Sequence, residues 1–106
     1  MPFLNKWELD THFVKHGHEF GAANAGEYER MADVFMFGAL EPDAQQCIRP
    51  TRVDRLRFGF ITRRLGVACT KPVFIRTFHV VMITAVTAHG DSKGYFQWQC
   101  GRIMWL

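Results

Sequence analysis

The sequence changes its period once, near Glu41, and that change limits the folds open to it. Before it, apolar residues recur at helical spacing; after it, they alternate. Tyr28, Met31, Ala32, Phe35 and Met36 fall at i, i+3, i+4, i+7 and i+8, the stripe of a helix that buries one side. Asn24 with Glu27 three residues on has the form of a capping box, and Gly38 supplies a stop. An earlier helix opens the same way at Asn5 and Glu8. It is expected to run to about His16 and to end at Gly17 in a left-handed turn, with Trp7, Leu9, Phe13 and Val14 as its apolar side. Gly17, Gly21 and Gly26, with Ala22 and Ala23, mark a loop between the two helices.

The second half reads as strands. A short extended piece surrounds Cys47 to Arg49. Val53 to Phe60 alternates, which directs Leu56, Phe58 and Phe60 inward and Arg55 and Arg57 outward. Thr62 to Arg64 forms a turn, Leu65 to Cys69 a return strand, and Lys71-Pro72 a second turn before Val73 to His79. After a polar loop at His89 to Gly94, Tyr95 to Cys100 alternates again and is expected to be a last strand. The class is therefore α+β: two N-terminal helices packed on a four- to five-stranded antiparallel sheet. At 106 residues this is one domain, spanning 1–106, and large enough to bury a core.

Cys47, Cys69 and Cys100 are odd in number and widely spaced, so neither a disulfide framework nor a zinc knuckle is indicated, and buried free thiols are expected. Met1 to Asp10 has no basic start followed by an apolar run, so no signal peptide is read there. The apolar run Val80 to Val86 is too short to span a bilayer.

The formal charge of +3 conceals an asymmetry. Residues 1–45 carry three basic and eight acidic side chains, whereas residues 46–106 carry ten basic and two acidic. Arginine outnumbers lysine nine to four, and its planar fork suits phosphates and stacks on bases. A basic surface facing a polyanion follows, with nucleic acid as the natural partner.

The strand Val73 to His79 places Arg76, Thr77 and His79 inside an apolar setting. A guanidinium there needs a carboxylate, a ligand anion or an open cleft. Strict alternation sets Arg76 on one face and Thr77 and His79 on the other, so a twist or bulge is needed for Arg76 and Thr77 to reach one site. His12 and His16 share a helix face with Lys15 beside them, and His18 follows closely. Such a trio is a candidate metal site, but no thiol stands at a matching spacing, and Lys15 opposes a cation. Acid–base work is the other use of histidine near neutral pH. Histidine, lysine, arginine and threonine together suit RNA cleavage by the ribose 2′-hydroxyl. That reaction needs a base, an acid and donors for the phosphorane, while RNA brings its own nucleophile.

Four pieces occur in order: HFVKHGHEFG, EYERMADVFMFG, RVDRLRFGFITRRLGVA and FIRTFH. Over His12 to Phe78 this series resembles the C-terminal ribonuclease toxin domains of the barnase, EndoU, colicin and RelE-like superfamily, found in contact-dependent inhibition and other polymorphic toxins. The resemblance implies that His12, Lys15, His16, Arg76 and Thr77 line the active cleft. In it, His12 or His16 is the base or acid, Arg76 and Lys15 neutralise the scissile phosphate, and Thr77 donates to a phosphate oxygen. Arg55, Arg57, Arg63 and Arg64 would hold the RNA backbone, and His79 and Tyr95 are possible additions. Two departures stand out: Gly59-Phe60-Ile61 precedes Thr62 where an Asp or Asn is expected, and His79 replaces an aromatic or aliphatic residue.

The expected activity is a metal-independent endoribonuclease, needing no cofactor, that cuts RNA and leaves a 2′,3′-cyclic phosphate. By the resemblance, the RNA is tRNA, the toxin is monomeric, and an acidic immunity or antitoxin protein neutralises it. It would act in the cytoplasm of target bacteria, delivered within a larger secreted toxin, with no membrane partner. The alternative is a non-catalytic RNA-binding module that uses the basic hairpin, with Tyr95, Phe96 and Trp98 as a stacking platform.

Overall fold

A computed structural model describes residues 2–102. The chain forms α1 (Lys6–His16), a short 3-10 turn (Gly17–Phe20), α2 (Ala25–Phe37), β1 (Ala44–Ile48), β2 (Asp54–Gly59), β3 (Arg64–Thr70), β4 (Val73–Val80), α3 (Ile83–Thr87) and α4 (Ser92–Gly101). The strands make one antiparallel meander in the order β1-β2-β3-β4. Phe3 adds an isolated parallel bridge to Ile75 at the free side of β4.

Both N-caps expected from the sequence are formed. Asn5 accepts from the Glu8 N–H and Asn24 from the Glu27 N–H, each at 2.8 Å. The end of α1 differs from expectation. Gly17 is right-handed (φ −56°), the chain tightens into the 3-10 turn, and the left-handed residue is Gly21 at φ 66°. Gly17 is required by packing instead, because a Cβ there would lie 2.4 Å from the Phe13 ring. Trp7 and Val14 are also not part of the buried side: they are 70% and 78% exposed, and Leu9 and Phe13 do the packing.

The sheet is covered on both faces. On one face, Phe3, Tyr28, Ala32, Phe35 and Met36 pack against Ala68, Ile75 and Phe78. Tyr28 is fully buried, its hydroxyl donates to the Phe78 carbonyl, and burial pushes its pKa well above the usual range. Gly66 lets β3 approach α2 closely, since a Cβ there would meet the Met36 sulfur at 2.4 Å. On the other face, Leu56, Phe58, Leu65 and Val67 pack against Val81, Val86 and Tyr95.

The covering of both faces corrects three expectations. Tyr95 to Cys100 is not a strand but most of α4, capped by Asp91, whose side chain accepts from the Gly94 N–H at 2.9 Å. Tyr95, Phe96, Gln99 and Cys100 sit at i, i+1, i+4 and i+5, so the apparent alternation was one side of a helix. Arg55 and Arg57 do not point to solvent, because the face opposite Leu56 and Phe58 lies under α2. The cysteines are not all free thiols: Cys47 of β1 and Cys100 of α4 form a disulfide with Cα atoms 6.1 Å apart, and Cys69 alone is a buried free thiol. Among the described residues, no helix is long and apolar enough to cross a membrane.

Candidate active site

Of the twist or bulge that the sequence left open, β4 has a bulge. The ladder to β3 pairs Val67 with Thr77 but Ala68 with Ile75, which leaves Arg76 as the extra residue. Ile75 and Phe78 therefore both enter the α2-side core, while Arg76, Thr77 and His79 turn together to the other face. There they line a cavity of about 380 Å³ between α1, the sheet and the C-terminal end of α4. From α1 come His12 and Glu8, from the β1–β2 region Arg49 and Asp54, and from α4 Gln99, with Arg102 just beyond it.

Three imidazoles run in a row across this site. Ring centroids are 6.2 Å apart between His12 and His16, and 5.0 Å apart, stacked, between His16 and His79. The His79 Nδ1 meets the Thr77 hydroxyl at 3.2 Å. Burial, then the neighbouring charge of His16, pushes His79 down to about 4, although Glu19 opposes this. His12 is likewise lowered, first by burial and then by His16 and Lys15, with Glu8 acting against them. Its Nδ1 is buried and has no hydrogen-bond partner among the described residues. Its Nε2 stands 3.7 Å from Glu8 Oε2, too far for a good hydrogen bond. Both groups are thus neutral imidazoles at pH 7 that open onto one cavity.

His16 stands one step back. Its Nδ1 is 2.7 Å from Glu19 Oε2, and the other Glu19 oxygen accepts from the Val80 N–H at 2.6 Å. Burial alone would raise the Glu19 carboxyl, but those two bonds and the charges of His16 and His79 outweigh it and hold the pKa low. His16, Glu19 and Tyr95 line an adjoining cavity of about 510 Å³, which meets the first at His79.

Arg76 is the pivot of the charge arrangement. Its Nε donates to Asp54 Oδ1 at 2.8 Å, and the Asp54 side chain is only 3% exposed. Its guanidinium also lies 5.0 Å over the Phe74 ring. Neither Nη group has a hydrogen-bond partner among the described residues, so the paired Arg76 still presents donors to the cavity.

The remaining sequence candidates lie elsewhere. Lys15 is exposed and does not line the cavity. Arg57 is 7% exposed and donates to the Phe35 and Gly38 carbonyls at 3.0 and 2.7 Å, so it caps the end of α2. Arg55 lies over the Phe37 ring on that same side. Arg63, at φ 59°, donates to the Val81 carbonyl, and Arg64 pairs with Glu41 at 3.3 Å over Phe20. Each hairpin arginine thus makes an internal contact, while the Arg64 side chain remains 42% exposed. Tyr95 is 5% exposed, so it is not part of an open aromatic platform, whereas Trp98 is 42% exposed, stacked with His89 and contacted by the Arg102 guanidinium. Among the described residues, no three His, Cys, Asp or Glu side chains are placed to hold a metal ion.

Arg49, Asp54, Gln99 and Arg102 were not singled out from the sequence. Their signals were faint: lone charged or amide residues at the ends of elements, brought together by tertiary packing. No family model matches the chain, and no curated protein matches it.

Proposed function

We propose that this domain is a metal-independent endoribonuclease that cleaves RNA by attack of the ribose 2′-hydroxyl on the adjacent phosphate. The observation that carries the reading is the bulge at Arg76, which turns Arg76, Thr77 and His79 into one cavity opposite His12. A neutral imidazole is the form that accepts the 2′-hydroxyl proton, and a second imidazole across the cavity is placed to return one to the leaving 5′-oxygen. A phosphate bound between them raises both pKa values, since an anion favours the protonated imidazole, and so readies one of the pair as the acid. The Thr77 hydroxyl and the Arg76 Nη groups donate to the phosphorane oxygens, where negative charge grows in the transition state. Asp54 holds Arg76 in position and His16 supports His79 by stacking. RNA as substrate, tRNA in particular, and an acidic inhibitor protein are the partners that the family resemblance adds to this reading.

The test is incubation of the purified chain with total cellular RNA in EDTA, alongside His12→Ala and His79→Ala. Discrete fragments ending in 2′,3′-cyclic phosphate, lost in both variants, are expected. RNA left intact by the folded wild-type chain overturns the proposal.

A further inference from the structure

The cavity contains more cationic groups than a single scissile phosphate engages. Besides Arg76 it is lined by Arg49 and Arg102, and the carboxylates that face these three are Asp54 and Glu8. Asp54 is already bonded to Arg76. Arg49 is 6% exposed, and its Nε donates to the Gln99 carbonyl at 3.0 Å while Nη2 reaches Gln99 Oε1. Arg102 Nη1 approaches the same Oε1 at 3.4 Å. The amide of Gln99 is oriented from behind, because its nitrogen donates to the Tyr95 hydroxyl at 2.7 Å. One buried amide oxygen therefore gathers two guanidiniums. The Trp98 ring lies under Arg102 at 4.4 Å.

Like charges held this close in a sheltered site repel each other. The pKa of Arg49 is lowered by burial first and then by Arg102, with Arg76 adding a smaller push, while Asp54 and Tyr95 act against them without cancelling the shift. The Nη1 of Arg49 has no hydrogen-bond partner among the described residues. A structure that concentrates positive charge and leaves donors unspent is arranged for an anion.

We propose that Arg49 and Arg102, gathered by Gln99, form a second phosphate subsite, so that the cleft takes a single strand whose phosphate next to the scissile one is bound as well. This rests on the ribonuclease reading for the identity of the first phosphate. The substrate class it names is a single-stranded oligonucleotide with at least two consecutive phosphates. Arg49 is the rigid, buried member, and Arg102 the accessible one. A single-stranded loop or end satisfies this geometry better than a continuous duplex, whose phosphates are held in a fixed helical path.

The experiment compares kcat/KM for a dinucleoside monophosphate with that for the same RNA extended by one phosphate at either end. The wild-type chain is expected to prefer one extended form. Arg102→Gln is expected to cut that preference by about tenfold, the worth of one charge-assisted hydrogen bond, mainly through KM, and Arg102→Lys to restore part of it. In parallel, binding of a 5′-phosphorylated 2′-deoxy trinucleotide, which cannot be cleaved, is measured against salt. Arg102→Gln is expected to lower the logarithmic salt slope by about 0.7, the value of one phosphate contact on a single strand. If wild type shows no preference, or Arg102→Gln changes neither the preference nor the slope while RNA is cleaved, the subsite is overturned and the ribonuclease reading stands. If no RNA is cut but the trinucleotide binds with the Arg102-dependent slope, the subsite stands and the ribonuclease reading falls.

Discussion

Arg57 and Arg76 occupy similar places in the sheet and have opposite fates. Each sits in a paired strand, and each turns toward a face covered by helices. Under α2, Arg57 finds two helix-end carbonyls and Gln46 as a further acceptor, so the charge closes the structure. On the α4 side, Arg76 finds one buried carboxylate and a cavity, and its Nη groups remain available. The α1–α2 face is a continuous aromatic core, with Phe20 stacked on Phe78 at 4.1 Å. The α4 face is divided into an apolar part around Phe58 and Tyr95 and a polar part around Gln99. On the proposed reading, one face holds the fold together and the polar part of the other carries the chemistry.

The comparison breaks first if the α2 face proves soft. Phe35→Ala, at a site 4% exposed, is expected to cost about 3–5 kcal/mol in chemical denaturation, because it empties a ring from the core. A loss near zero would remove α2 from the stabilising face. Replacing Cys47 and Cys100 by Ser together is expected to cost about 4 kcal/mol on a chain-entropy basis, given the 53-residue separation. Because Cys100 follows Gln99 directly, RNA binding by the reduced chain should weaken as well. Arg57→Met is expected to cost about 1–3 kcal/mol through the helix-end carbonyls it leaves unpaired, without moving the pH dependence of cleavage.

Acidification sharpens the same contrast. His79 titrates at about 4 in the folded chain against 6.5 ordinarily, so between those values the unfolded chain binds more protons. Stability is therefore expected to fall as pH drops from about 6.5 toward 4, with His12 contributing in the same direction. His79→Gln should flatten that decline in thermal melts across the range. The smallest effect is on the outer surface: Lys6→Ala breaks an exposed pair with Asp10 and is expected to change stability by less than about 0.5 kcal/mol.

Local signals carried the first half of the fold. Asn5 with Glu8 and Asn24 with Glu27 declare helix starts, and the stripe from Tyr28 to Met36 declares which side is buried, because capping and period act within a few residues. The alternation in β2 told that Leu56 and Arg57 face opposite ways, but not that both faces are covered, since that depends on α4. Tyr95 to Cys100 satisfied a strand period over six residues, and the deciding signal was Asp91 at the N-cap, just before it. The Cys47–Cys100 pairing joins residues 53 apart and has no local signature. At the candidate site, His12, Arg76 and Thr77 were legible as chemistry-bearing residues, and so was the need for a twist or bulge. Arg49, Gln99 and Arg102 were not, because their roles arise only where β1 meets the end of α4.

The division of labour between the faces is tested most directly at Thr77, whose hydroxyl meets His79 Nδ1 at 3.2 Å. The measurement is the cleavage rate of a single-stranded RNA oligonucleotide by Thr77→Val, with the melting curve recorded on the same protein. The expected result is a fall of about 100-fold or more in kcat, the effect of removing one preorganised donor to the transition state, with a melting transition close to wild type. Cleavage at the wild-type rate by a folded Thr77→Val chain would contradict the assignment of this face to catalysis.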